Sequence, residues 1–229
     1  MPGVEVAASI LTADFGNLYR AVRKLESAGV DRLHLDVMDG QFVDNITFGP
    51  DVVRAFRRLT ELPIDVHLMI ARPAHYAGRF VDAGGDTITF HVEVDEPAEQ
   101  KRATLERIAA AGRQAGLAVS PDTPVEAVAP FLEQLQIVMI MTVHPGWGGQ
   151  RFLADQAPKI AAARRLLGRR AGTYVHVDGG VNAETAAIVG AHGVDVCVVG
   201  SALFGRRRDT AAEVEQVRRV AAAAAPGRR

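Results

Sequence analysis

A short apolar run in the first quarter of the chain carries polar side chains at every second position. It reads RLHLDVM over residues 32–38. Side chains alternate across a β-strand, so His34, Asp36 and Met38 share one face and the aliphatic residues between them share the other. An imidazole, a carboxylate and a thioether on one face can bind a metal ion or transfer protons.

A second run repeats this arrangement, and a third run ends in a carboxylate. PIDVHLM places Asp65, His67 and Met69 on one face, and TYVHVD ends at Asp178. Two imidazoles and two carboxylates suit one divalent ion such as Zn, Fe(II), Mn or Co. The ligand set that these runs predict is His34, Asp36, His67 and Asp178.

Each of these groups could instead be a hydrogen-bonded core residue without a chemical role. Four such groups lie at the ends of three runs, and each is on the alternating face that would point into the fold. This arrangement favours a shared site. Asp65 is the exception, because it lies two residues before His67 and is expected to form a hydrogen bond inside the fold.

Methionines and glycines near the ends of other apolar runs predict where a substrate would lie. Methionine commonly fills gaps in a core, but Met38, Met69 and Met141 are interpreted as an apolar cap that excludes water from a reactive intermediate. Glycine turns follow the sixth, seventh and eighth runs, and their backbone N–H groups can form an anion cradle, although glycines also form ordinary tight loops. The predicted phosphate contacts are Gly146, Gly148, Gly149, Gly179, Gly180, Gly200 and Ser201.

Eight such runs alternate with longer amphipathic segments along the chain. Eight strand–helix units in 229 residues predict an α/β fold, a single (β/α)8 TIM barrel over residues 1–229, with 222–229 as a flexible tail. The alternative is an open doubly wound sheet, but ASILTADF after the first run has no dinucleotide-binding glycine turn. The predicted strands are 4–10, 32–38, 63–69, 87–93, 117–120, 137–143, 173–178 and 194–200.

Four helical segments are predicted to end at a C-terminal capping glycine. The sequences at these helix ends are SAGVD, DAGGD, QAGLA and AHGVD.

Composition excludes several classes of protein. The chain has 26 basic and 27 acidic residues without a basic stripe, so nucleic-acid binding is not expected. A single cysteine, Cys197, excludes an internal disulfide and favours a reducing, cytoplasmic location. No run reaches the ~18 apolar residues of a membrane span. The chain has no GxxxxGK[ST] motif, so no nucleoside triphosphate is expected.

The motifs together resemble the ribulose-phosphate 3-epimerase family. They occur in family order and cover nearly the whole chain: SILTADF (9–15), HLDVMDGQFVDNITFGP (34–50), DVHLM (65–69), DTITFHVE (86–93), MTVHPGWGGQRF (141–152), VDGGV (177–181) and VVGSALF (198–204). The resemblance implies a TIM barrel with the four metal ligands above, catalysis by Asp36 and Asp178, and phosphate contacts in the glycine turns. The substrate contacts that it implies are Ser9, Met38, Met69, Met141 and His144.

The implied reaction is the interconversion of D-ribulose 5-phosphate and D-xylulose 5-phosphate. One aspartate would remove the proton next to the ketone and the other would return one to the opposite face of an enediolate. No nicotinamide, flavin or other nucleotide cofactor is required. The resemblance also implies a homo-oligomer.

Departures from the family pattern keep the identity of the substrate open. Asp44, His144 and Trp147 stand where the family usually has other residues, and Ser120 stands where many members have a basic or apolar residue. The same chemistry could therefore act on another phosphorylated ketose or on a keto-cyclitol phosphate. A phosphate-binding barrel without catalysis is the weaker alternative, because binding alone does not need two proton-transferring carboxylates.

Overall fold

The computed structural model describes residues 3–168, 170–204 and 209–227. Eight parallel strands form a closed barrel in chain order, and β8 pairs with β1. This closure confirms the predicted TIM barrel and shows that the open sheet is wrong. The strands are β1 (Glu5–Ser9), β2 (Arg32–Met38), β3 (Ile64–Met69), β4 (Thr87–His91), β5 (Gln114–Val119), β6 (Ile137–Met141), β7 (Tyr174–Asp178) and β8 (Val196–Val199).

Helices connect the strands on the outside of the barrel. They are α1 (Leu18–Ser27), α2 (Pro50–Leu59), α3 (Pro73–Asp82), α4 (Ala98–Ala110), α5 (Pro158–Leu167), α6 (Ala186–Ala191), α7 (Ser201–Phe204) and α8 (Thr210–Ala224). The connection between β5 and β6 differs from the predicted strand–helix repeat, because it holds a 3-10 helix, Val125–Phe131. Pro130 lies inside that segment and lacks the N–H that an α-helix needs.

Alternation along the strands separates an apolar exterior from a polar interior. Leu33, Leu35 and Val37 lie in the main hydrophobic core between the strands and the helices. His34 and Asp36, between them, are buried on the other side of β2. Apolar residues fill other parts of the interior, among them Ala118, Met139, Met141 and Val143.

Three of the four predicted glycine caps are confirmed, and the fourth is wrong. Gly29, Gly84 and Gly193 have positive φ at helix ends. QAGLA, however, begins β5, because α4 already ends at Ala110 and Gly112 (φ 72°) follows it. Gly116 lies inside β5, where a Cβ atom would stand 2.5 Å from the Thr89 hydroxyl oxygen, so this glycine permits close contact between strands.

The C-terminal helix packs closely against the helix before β8. A Cβ atom on Gly190 in α6 would lie 2.3 Å from the carbonyl oxygen of Ala221 in α8. The helix α8 continues to Ala224, so residues 222–224 of the predicted tail are helical, whereas 228–229 lie outside the described residues. Among the described residues, no helix has the length and apolar character needed to span a membrane.

Candidate active site

Four polar side chains meet at the carboxyl ends of β2, β3 and β7. One ligand atom from each lies within 4.8 Å of every other. The His34 Nε2 atom is 3.2 Å from Asp36 Oδ1 and 3.7 Å from Asp178 Oδ2. The His67 Nδ1 atom is 3.2 Å and 3.5 Å from the same two oxygens. The structure therefore brings together the four residues that the sequence pattern selects as metal ligands.

Strand register explains this convergence. Asp36 is paired with His67 across β2 and β3, so their inward side chains lie at the same height in the barrel. Asp178 is the last residue of β7, which the closed barrel places two strands away from β1. Both imidazoles are fully buried, and the Asp178 side chain is the most accessible of the four at 14%.

Asp65 holds His34 from below the cluster. Its Oδ2 atom lies 2.9 Å from His34 Nδ1, and both side chains are fully buried. This is the hydrogen bond expected for Asp65. A proton on Nδ1 leaves the Nε2 lone pair directed at the cluster, and the Nε2 atom has no hydrogen-bond partner. A buried ring nitrogen in this state fits a metal ligand.

Burial and opposite charge act against one another in the cluster. Burial disfavours the charged form of His34, but the Coulombic attraction of Asp36 and Asp65 outweighs it and raises the pKa of His34 well above its ordinary value. The pKa of His67 is raised in the same way, since hydrogen bonds to Asp178 and Asp36 overcome burial. Burial likewise opposes ionisation of Asp36, yet His34 and His67 lower its pKa. Without a metal ion, the carboxylates therefore favour protonated imidazoles, and the imidazoles favour the ionised form of Asp36.

A second buried chain of polar groups reaches His67 from β4. The His67 Nε2 atom lies 3.0 Å from His91 Nε2, and His91 Nδ1 lies 3.0 Å from Glu93 Oε2. The Ser120 backbone N–H donates to Glu93 Oε1 at 2.8 Å. Sequence reasoning did not select His91 or Glu93, although both lie in the motif DTITFHVE, and His91 has the inward parity of the other ligands.

A cleft opens above the cluster. Its lining includes every residue predicted to contact the substrate or its phosphate: Ser9, Met38, Met69, Met141, His144, Gly146, Gly148, Gly149, Gly179, Gly180, Gly200 and Ser201. The three methionines are at most 3% exposed, so they form an apolar floor beside the carboxylates. Asp36 and Asp178 also line the cleft.

Residues at the rim and floor of the cleft have distinct surroundings. Ser9 donates a hydrogen bond from Oγ to Asp36 Oδ2 at 2.7 Å. His144 lies at the rim with 57% of its side chain exposed, and its Nδ1 atom is 3.6 Å from Asp122 Oδ2. Trp147 is also 57% exposed and lines the cleft, and Asp44 is exposed in the loop after β2.

The glycine turns pack against one another closely. Gly179 (φ 120°) would bring a Cβ atom within 2.7 Å of the Val143 backbone nitrogen, and Gly180 (φ 67°) within 2.7 Å of the Phe152 nitrogen. Side chains at these two positions would therefore separate the turns after β6 and β7. Gly200 differs, because a Cβ atom there would make only ordinary contacts, the nearest at 3.6 Å from Thr12 Oγ1.

Thr12 lies between two glycines of the cleft and was missed by the sequence reasoning. Its Cγ2 atom occupies the space beside Gly148, and its Oγ1 atom faces Gly200. This hydroxyl is buried and has no hydrogen-bond partner. The signal that could have selected it is its place in SILTADF, directly after β1 at the carboxyl end of the barrel.

Comparison with known sequences decides the family. The sequence profile of the ribulose-phosphate 3 epimerase family matches residues 5–204. The chain belongs to this family. The ribulose-phosphate 3-epimerase of Bacillus subtilis is 42% identical over 205 residues, which cover 89% of this chain and 93% of that protein. The enzyme of the same name from Mycobacterium bovis is 41% identical over 224 residues, covering 97% of this chain and 95% of its own. The prediction of an epimerase-type isomerase acting on carbohydrates is thereby confirmed.

Solved structures with low sequence identity share the barrel. The 3-hexulose-6-phosphate synthase of Salmonella typhimurium superposes with a TM-score of 0.71 at 17% identity, covering 96% of this chain and 100% of that chain. The 3-keto-L-gulonate-6-phosphate decarboxylase of Vibrio cholerae gives a TM-score of 0.73 at 12% identity, covering 98% and 100%. These likenesses concern the fold alone.

Proposed function

We propose that this protein interconverts D-ribulose 5-phosphate and D-xylulose 5-phosphate, using one divalent metal ion. The observation that carries the proposal is the cluster of His34, Asp36, His67 and Asp178 at the floor of a glycine-lined cleft. The family membership and the names of the curated relatives support this substrate.

The four clustered side chains would hold the metal ion. The donor set of two imidazoles and two carboxylates fits a divalent first-row ion, and the unpartnered Nε2 atom of His34 points into the cluster. When bound, such an ion supplies Lewis acidity that makes the proton next to a ketone more acidic. The choice among Zn, Fe(II), Mn and Co belongs to the proposal, because these ligands suit each of them.

Asp36 and Asp178 would move the protons. They come from β2 and β7, and each places one oxygen against both imidazoles. One carboxylate removes the proton from the carbon next to the ketone, and the other, protonated, delivers a proton to the opposite face of the enediolate. Inversion needs two such groups because a single group would return the proton to the face from which it came.

The rest of the cleft would bind and shield the substrate. Backbone N–H groups of the glycine turns at 146–149, 179–180 and 200–201 would bind the phosphate, and the unpartnered hydroxyl of Thr12 would donate to it as well. The three methionines would exclude water from the enediolate without supplying a competing proton.

An assay in D2O tests the proposal directly. Purified protein incubated with D-ribulose 5-phosphate should form D-xylulose 5-phosphate that carries deuterium at the inverted carbon, as followed by NMR. Removal of the metal with a chelator should abolish the reaction, and addition of Zn, Fe(II), Mn or Co should restore it. Full turnover by protein shown to be free of metal would contradict the metal dependence.

A second substrate is favoured by the rim of the cleft. His144 and Trp147 are exposed there and differ from the residues usual in the family, so another phosphorylated ketose or a keto-cyclitol phosphate is the alternative. A panel of phosphorylated ketones tested for C–H exchange in D2O would distinguish these substrates. Exchange with none of them would favour the non-catalytic phosphate-binding barrel.

A further inference from the structure

We propose that Glu93 and His91 form a positioning relay that fixes which ring nitrogen of His67 faces the metal cluster. The relay is the chain of contacts from Glu93 through His91 to His67. The proposal rests on the proposed function in taking the cluster as a metal site. It adds two residues that are not among the four proposed ligands and do not line the cleft.

The relay begins at a carboxylate that can only accept hydrogen bonds. Burial opposes the charge of Glu93, but its contacts with His91 and with the Ser120 backbone N–H lower its pKa to about 2. One oxygen accepts from the Ser120 N–H at 2.8 Å, and the other lies 3.0 Å from His91 Nδ1. The His91 nitrogen that faces Glu93 must therefore carry the proton.

The proton on Nδ1 determines the rest of the chain. A neutral imidazole has one donor nitrogen and one acceptor nitrogen, so Nε2 of His91 is left as an acceptor. It lies 3.0 Å from Nε2 of His67, which must then donate. The Nδ1 atom of His67 is consequently free of a proton in the neutral ring, and it is this atom that faces Asp36 and Asp178.

The opposite side of the cluster is organised in the same way. The Asp65 carboxylate contacts Nδ1 of His34 at 2.9 Å and leaves Nε2 of that ring facing the cluster. His34 thus presents Nε2 and His67 presents Nδ1. Two separate carboxylates, one on β3 and one after β4, direct the two lone pairs into the same cluster.

Packing keeps the relay in one geometry. The ring of His91 is fully buried, and its centroid lies 5.0 Å from that of His67 with an angle of 26° between the ring planes. The ring of Phe42 covers it at 4.8 Å. The Ser120 hydroxyl lies 3.2 Å from His91 Nδ1, the atom that already donates to Glu93, so this contact is secondary.

The replacement Glu93→Gln is expected to reverse the direction of the relay. The amide oxygen of glutamine can keep the bond from the Ser120 N–H, which turns its NH2 group towards His91. His91 Nδ1 would then have to accept, its Nε2 would carry the proton, and His67 would have to accept on Nε2. The proton of His67 would move to Nδ1, where it blocks the ligand position.

The wild-type protein loaded with Zn²⁺ gives the most direct test. Correlation of ring ¹⁵N and ¹H signals reports which nitrogen of each histidine is protonated. We expect His91 to be protonated on Nδ1 and bare on Nε2, and His67 to be protonated on Nε2. A His91 ring that is protonated on Nε2 instead would overturn the relay, whether or not any variant folds.

Zinc affinity measured by competition with a chelator gives a second test. Glu93→Gln should weaken zinc binding by about 10- to 100-fold, the effect usual for loss of a group that orients a ligand. Ser120→Ala is the matched control, since it removes a neighbour of His91 but leaves the Glu93 contact in place, and its affinity should stay at the wild-type value. Equal affinities in wild type and Glu93→Gln would contradict the relay.

These outcomes separate the relay from the proposed function. A wild-type protein that binds no zinc would overturn the metal site and the relay together. Zinc binding and epimerisation with the opposite tautomer of His91 would overturn the relay alone. Thermal denaturation of each variant shows whether a lower affinity reflects a loss of the fold, which would leave the ring spectrum of the wild type as the deciding result.

Discussion

Asp36 and Asp178 occupy equivalent positions against the two imidazoles, but their second oxygens differ in surroundings. Asp36 Oδ2 accepts a hydrogen bond from Ser9, whereas the Asp178 side chain is partly exposed to the cleft. The change of either to asparagine keeps an oxygen ligand and the side-chain volume. If they are the acid and the base, each variant should lose epimerase turnover by at least about a hundredfold, since an amide does not cycle a proton near neutral pH.

The two asparagine variants should also differ from one another. With one carboxylate left, each variant should wash deuterium into only one of the two epimers, without inversion, because only one face of the carbon can be reached. NMR of both epimers in D2O measures this. Asp178→Asn that keeps its metal and still epimerises near the wild-type rate would exclude the two-aspartate mechanism.

The proposed histidine ligands can be tested by metal content alone. His67→Ala should purify with far less metal than the wild type, because three ligands remain from a four-ligand site. His75→Ala is a suitable control, since His75 lies on the exposed face of α3. Elemental analysis that finds full metal occupancy in His67→Ala would contradict the ligand assignment.

The raised pKa values of His34 and His67 predict how metal affinity depends on pH. Raised values mean that the metal-free site binds protons through neutral pH, and a metal ion must displace them. Affinity should therefore rise with pH and fall as pH is lowered, by about tenfold per unit for each proton displaced. Chelator competition at several pH values checks this, and an affinity independent of pH would contradict it.

At the scale of elements, the turns after β6, β7 and β8 form the upper part of the site, and their glycines are not equivalent. Gly179 and Gly180 are required by the packing of one turn on another, so a valine at Gly180 would disturb the fold as well as the proposed phosphate site. Gly200 has room for a methyl group and faces Thr12 and Ser9, which makes it the cleaner position to test.

Gly200→Ala should weaken substrate binding while the fold remains intact. A methyl group would occupy the cradle and remove about one hydrogen bond to a charged group, which corresponds to roughly a tenfold rise in KM. Metal content should not change. Gly78→Ala is the control, because Gly78 lies in α3 with open space around it, and alanine there should stabilise the protein by about 0.5–1 kcal/mol. An unchanged KM in Gly200→Ala would place the phosphate elsewhere.

At the scale of the whole molecule, Cys197 reports on the integrity of the barrel. It is fully buried in β8, and burial raises the pKa of its thiol to about 12. A thiol reagent near neutral pH should therefore react only when the barrel opens. Mass spectrometry should find no labelling of the native protein and complete labelling in denaturant. Rapid labelling of the native protein would show that β8 separates from its neighbours.

The homo-oligomer stays a prediction, which sedimentation of the purified protein would test.

Much of the fold and the cluster could be predicted from sequence because alternation along a strand is local. The parity of His34, Asp36 and His67 requires only that each run be extended, and the order of strands and turns requires only the barrel. The family resemblance added the roles of these residues. The same local reasoning failed at QAGLA. Gly116 does not cap a helix there, because it lies inside a strand and permits close contact with the Thr89 side chain on the neighbouring strand.

Tertiary structure alone decided which polar atoms are paired and which are free. Asp65 meets His34, and Glu93 reaches His67 through His91, because barrel closure sets the register between strands that lie far apart in sequence. A histidine in a sequence does not show which ring nitrogen has a neighbour. Only contacts between strands determine that nitrogen.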